Sequence, residues 1–105
     1  MENEQLIADL KAKFGKVKTI IIPTDEDEDC EKLVFHLKSP DKQTRKMISG
    51  LAEKSSEKAV MAGYRALWVG GDDVSELERN DYALISAEDA LIEILKVQKA
   101  TIKKN

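Results

Sequence analysis

A chain of 105 residues is one domain's worth of polypeptide; its 42% apolar content excludes wholesale disorder, and its 35% charged content implies a well-solvated surface. A net charge of −3 with both signs interspersed excludes the long basic stripe that a phosphate backbone demands, and five aromatic residues are too few for a base-stacking platform. The single cysteine, Cys30, excludes an intramolecular disulfide, and no apolar run approaches the roughly 20 residues of a membrane span.

The opening Met1-Glu2-Asn3-Glu4 is acidic where a signal peptide would be basic, so the cytoplasm is the expected compartment, with neither nucleic acid nor membrane as partner. From Glu2 to Phe14, Leu6, Ile7, Leu10 and Phe14 recur at helical spacing, and Gly15 stops the run. Val17 to Ile22 is β-branched and closed by Pro23. Lys32 to Leu37 alternates, with Leu33, Phe35 and Leu37 on one face and Lys32, Val34 and His36 on the other. The two runs read as a β-hairpin whose connection, Thr24 to Glu31, is a long, acidic, mobile loop. A lone two-stranded ribbon is marginal in water, so one face is expected to pack on helices or to gain strands from a partner.

Ser39-Pro40 reads as the start of a second helix, with Met47, Ile48 and Leu51 inward and Lys42, Arg45 and Lys46 outward. A third begins at Ser55 or Ser56, carries Ala59, Val60, Gly63 and Leu67, and runs through Trp68-Val69 into the breaker Gly70-Gly71-Asp72-Asp73. Asp73 to Asn80 reads as a polar loop with a helical turn around Val74 to Leu77. A last helix, expected to be the longest, is capped by Ser86 with Asp89 three residues on. Its stripe is Ala87, Ala90, Leu91, Ile94, Leu95, Gln98 and Ile102, with Lys99, Lys103 and Lys104 at its basic end. The expected fold is therefore a single α+β domain over residues 1–105: one β-hairpin with a long acidic loop, packed against about four helices.

Candidate chemistry fails on missing residues. Asp25, Asp27 and Asp29 open like a calcium loop, but its sixth and twelfth positions hold Cys30 and His36 in place of Gly and a bidentate Glu. A solvated tip that keeps the sheet from pairing edge to edge is the preferred reading. Cys30 and His36 are the only pair resembling a nucleophile and base, and the neighbouring carboxylates are expected to disfavour the thiolate. One cysteine and one histidine do not make a zinc site. Gly70-Gly71-Asp72-Asp73 lacks the Lys-Ser or Lys-Thr of a phosphate loop and reads as a tight turn. Lys38, Lys42, Arg45 and Lys46 form a small basic cluster read as a solvated helix face. Trp68 reads as a core anchor, with an interface role as the alternative. No catalytic residue, cofactor or metal is expected.

The order of elements, with the strand exit Phe35-His36-Leu37-Lys38-Ser39-Pro40-Asp41 and the later Trp68-Val69-Gly70-Gly71-Asp72-Asp73, resembles the small tail assembly chaperones of tailed bacteriophages and prophages. It is also similar to short proteins of unknown function encoded near tail genes. The resemblance runs from about Gly15 onward. It implies a non-enzymatic protein that coats the tape measure protein while the tail tube polymerises and is then released, with no catalytic residues to carry over. The long acidic loop departs from that pattern. The apolar residues open to a partner, the tape measure protein or the tail tube protein, are Ile20 and Ile22 on the hairpin edge, Trp68, and Leu91, Ile94, Leu95 and Ile102 on the last helix. The alternative is a structural or homo-oligomeric protein retained in the particle, assembled through the last helix and broken by Leu95→Asp. A regulatory or enzyme-associated subunit finds no positive feature.

Overall fold

The computed structural model describes residues 2–96. The chain runs α1 (Glu2–Phe14), β1 (Val17–Pro23), β2 (Lys32–Lys38), α2 (Lys42–Ala52), α3 (Ser56–Leu67), β3 (Trp68–Gly71), a 3₁₀ helix (Val74–Arg79) and α4 (Asp81–Leu95). It is an α+β fold with several helices and a small antiparallel sheet of order β1-β2-β3. The expected extension of the last helix through Gln98, Lys99 and Ile102 to Lys104 lies outside the described residues.

The hairpin forms in the register the alternation demands. Ile20 pairs with Phe35 and Ile22 with Leu33, so these side chains share one face, while Thr19 pairs with His36 and Ile21 with Val34 on the other. Pro23 extends β1 by one pair, opposite Lys32, at the end of an edge strand where proline is tolerated. Phe35 and Leu37 are fully buried beneath α3 and α4, and Tyr64 of α3 meets Phe35 edge-on with ring centroids 5.5 Å apart. The Tyr64 hydroxyl donates to the Ala87 carbonyl of α4 at 2.8 Å, tying sheet, α3 and α4 together. Burial pushes the phenol well above its usual titration range. Gly63 permits the close approach of α3 to its neighbours: a Cβ there would lie 2.9 Å from Leu91 Cδ2 and 3.2 Å from Ile48 Cδ1.

Several boundaries differ from those expected. α2 is capped by Asp41, whose Oδ1 accepts from the Thr44 N–H at 2.7 Å, so Ser39 and Pro40 stand outside the helix. The Ser39 N–H instead donates to Lys16 O, prolonging the hairpin. Met47 is exposed, and Arg45 turns inward to donate to the Leu95 carbonyl at the C-terminus of α4, where a cation complements the helix dipole. α3 starts from the Ser55 cap but ends at Leu67, because Trp68 already has extended backbone and begins β3. The polar stretch after it is a 3₁₀ helix that buries Val74 and Leu77. α4 starts at Asp81, capped by Asn80 accepting from the Ala83 N–H at 3.0 Å, and Ser86 falls inside it. Asn80 also donates through Nδ2 to Thr24 O, which anchors the start of α4 to the end of β1.

The third strand rests on a very tight contact. Gly71 has φ +102° and pairs with Phe35, and a Cβ there would lie 2.2 Å from Val34 O. The Asp72 N–H donates to Val34 O and the Asp72 carboxylate accepts from the Val34 N–H, each at 2.7 Å. One residue thus satisfies both backbone groups of β2 where β3 runs out. Gly71→Ala is expected to cost roughly 2–4 kcal/mol, since it combines a left-handed backbone with a backbone clash. Gly50→Ala, which meets nothing within 4 Å in α2, should stabilise by about 0.5–1 kcal/mol. Urea unfolding of the two variants measures both.

The capping carboxyls supply a pH signature. Backbone hydrogen bonds from Thr44 and from Ser75 hold Asp41 and Asp73 below the usual carboxylate range. Their contribution is complete above the ordinary aspartate pKa and is lost as pH falls through the lowered native values. Asp41→Asn should therefore be destabilised at neutral pH, and its deficit against the parent should shrink on acidification in urea titrations.

Candidate functional site

The residues that look chemical in sequence are used by the scaffold. The acidic loop 24–31 is closed by Thr24, whose N–H and hydroxyl both donate to Glu31 O. Inside it, Asp25 Oδ1 accepts from the Asp27 N–H, the Cys30 N–H donates to Asp27 O, and Lys32 Nζ donates to the carbonyls of Glu28 and Cys30. Among the described residues no three His, Cys, Asp or Glu side chains are placed to hold a metal ion.

Cys30 and His36 do not meet, because His36 lies beneath α1 on the sheet while Cys30 stays in the loop. The thiol differs from expectation in one respect. Desolvation is the largest single influence and pushes it up, but hydrogen bonds involving the Thr24 and Asp25 backbones and Lys32 Nζ outweigh it, and the pKa is lowered. Lys32 Nζ sits 3.4 Å from the sulfur, so the nearest formal charge is a cation, and the carboxylates around it do not decide the direction.

The apolar candidates divide by burial. Ile22, Leu91 and Ile94 are core, and Ile20 and Leu95 pack against the core from its margin. Ile102 lies outside the described residues. Trp68, expected as a core anchor, is 42% exposed on β3, with its indole N–H donating to Asp72 O at 2.9 Å. The basic cluster is broken up by Arg45, which is committed to the end of α4.

What sequence reasoning missed is the second face of the sheet. Thr19, Ile21, Val34 and His36 point away from the core, and α1 lies across them. The cover is partial. Leu10 is buried over Gly70 and His36, but Leu6 and Phe14 are about two-fifths exposed and Ile21 is 62% exposed. Between α1 and the strands is a groove of about 420 Å³, lined by Leu6, Ile7, Thr19, Ile21, Val34, His36, Gly71 and Asp72. Part of its polar lining is partnered within the chain: His36 Nδ1 and Thr19 Oγ1 are 2.9 Å apart, and one Asp72 carboxylate oxygen holds the Val34 N–H. Most of the remaining lining, from Leu6, Ile7, Ile21 and Val34, is apolar and suits a side chain or segment of like character. The one sequence signal for it was the run Ile20-Ile21-Ile22, which is too apolar for a strand with one face in water.

The lowered thiol gives a direct check on the loop. Alkylation of Cys30 by iodoacetamide should rise with pH at a lower midpoint than for a free thiol, and Lys32→Met should move that midpoint upward. An unshifted midpoint in Lys32→Met would remove the ammonium from the account.

No described helix is long and apolar enough to cross a membrane. No protein-family model, curated protein or solved structure matches the chain, so the site is read from its own residues.

Proposed function

We propose that this chain is a non-enzymatic cytoplasmic protein-binding domain, and that it serves a phage or prophage as a tail assembly chaperone holding a segment of the tape measure protein. The single observation that carries the reading is the apolar groove between α1 and the back of the sheet. It is floored by Ile21 and Val34 and walled by Leu6 and Ile7, while Thr19 pairs with His36 Nδ1 and one Asp72 oxygen holds the Val34 N–H. Such a surface rewards an apolar side chain and offers little to a polar substrate. β1 forms one edge of the sheet, so an extended client segment can add to it while placing side chains against Ile21. An amphipathic client helix can instead lay its apolar stripe along the groove. Weak, reversible capture is what such a chaperone needs, and a groove of this size supports contact with a few client side chains at a time. The acidic loop 24–31 acts on this reading as a solubilising tip next to the client site.

The test is co-expression with a phage tape measure protein. The parent chain should keep that protein soluble and be absent from mature particles. Ile21→Asp should abolish the effect while leaving the fold intact, because the side chain is mostly in water already. Unchanged solubility with Ile21→Asp, or none conferred by the parent, overturns the reading. Recovery of the chain in purified particles favours the structural alternative.

A further inference from the structure

α4 carries large apolar residues on its outward side as well as on the side that faces the core. Small residues, Ala83 and Ala87, fill much of its inward side and have no exposed area, alongside Leu91 and Ile94. Its large outward residues Tyr82, Ile85 and Ile92 are 46%, 64% and 57% exposed. Ile85 and Ile92 are two turns apart on one line of the helix, and Tyr82 stands one turn before Ile85. Each forgoes roughly half of the 1.5–3 kcal/mol that full burial of a large apolar side chain contributes, and a stripe of them on one face marks a contact surface rather than ordinary scatter.

The charges along the stripe identify what covers it. Asp81 opens the helix and Lys96 caps its other end, both exposed and both on the outward side. A second copy of α4 laid antiparallel, with Ile85 of each copy against Ile92 of the other, brings Asp81 of each opposite Lys96 of the other. The arrangement is closed and self-complementary, as a two-fold interface requires. A parallel pairing instead sets Asp81 on Asp81 and Lys96 on Lys96. Among the described residues Lys96 has only a 3.8 Å contact with Glu93, both side chains being about 70% exposed, a weak pairing that a closer carboxylate can displace. Asp89 borders the stripe near the two-fold axis and opposes association, since it meets its own counterpart there.

We propose that two copies of this chain pair through α4 in this antiparallel register. The inference does not rest on the chaperone reading. α4 packs on the core face of the sheet and the groove under α1 is on the other, so pairing leaves both grooves open.

Sedimentation equilibrium of the full chain over a concentration series tests it. The parent should show a reversible transition from 11.8 kDa to twice that mass. The double variant Ile85→Asp/Ile92→Asp should remain monomeric with an unchanged circular dichroism spectrum. Asp81→Lys and Lys96→Asp should each weaken pairing by roughly tenfold, and combining them should restore most of it. Asp89→Asn should tighten the dimer, and added salt should weaken the end contacts. A parent chain that is monomeric throughout overturns the proposal. So does a dimer that survives the double aspartate variant, or a charge swap that fails to recover pairing, which would place the contact elsewhere or in another register.

Discussion

The contact between the Gly71-Asp72 corner and Val34 governs the rest of the molecule. An isolated hairpin is marginal in water, and here β2 becomes a central strand only because β3 pairs along its outer edge. Four residues of strand are few. The Asp72 N–H and carboxylate extend the pairing by occupying both backbone groups of Val34. Gly71 lets the two backbones come that close. Because β3 follows α3 without a loop, the same contact positions α3, and with it the Tyr64 ring over Phe35 and the Tyr64 hydroxyl at the Ala87 carbonyl. Sheet, α3 and α4 are therefore placed by one chain of contacts rather than by three independent ones.

A consequence is that polar residues with apparent chemical promise are consumed by the scaffold. Asp72 completes a strand and Arg45 closes the C-terminus of α4. His36 pairs with Thr19 beneath α1, and Asp41, Asp73 and Asn80 cap helices. Apart from the His36–Thr19 pair, which joins two side chains, each is a backbone group finding a side-chain partner, which is cheaper than leaving it unpaired. What the scaffold leaves over is apolar: the groove behind the sheet and the outer stripe of α4. The two lie on opposite sides of the sheet, so a client and a second copy need not compete. If both proposals hold, pairing would double the sites offered to a client without enlarging the chain.

The sequence by itself determined the hairpin, the helix-rich remainder and their approximate order. Alternation in Lys32 to Leu37 and helical spacing around Ala59, Val60, Gly63 and Leu67 are local signals that burial on one face obliges the chain to carry. It also shows that the loop 24–31 departs from the calcium-loop pattern at positions 30 and 36. Tertiary structure decided the rest. Trp68 to Gly71 has no strand pattern of its own and becomes one only because β2 offers an edge. That Asp41 and Asn80 cap these helices in place of the expected Ser39 and Ser86 depended on which oxygen reached a free N–H, since Ser, Asp and Asn are similarly good cap residues. The exposed apolar surfaces were least legible. Ile22 and Ile21 are neighbours of equal hydrophobicity, as are Leu91 and Ile92, yet one of each pair is core and the other faces water. Residue type sets how much burial is worth, but only the packing of α1, α3 and α4 on the sheet decides which side receives it.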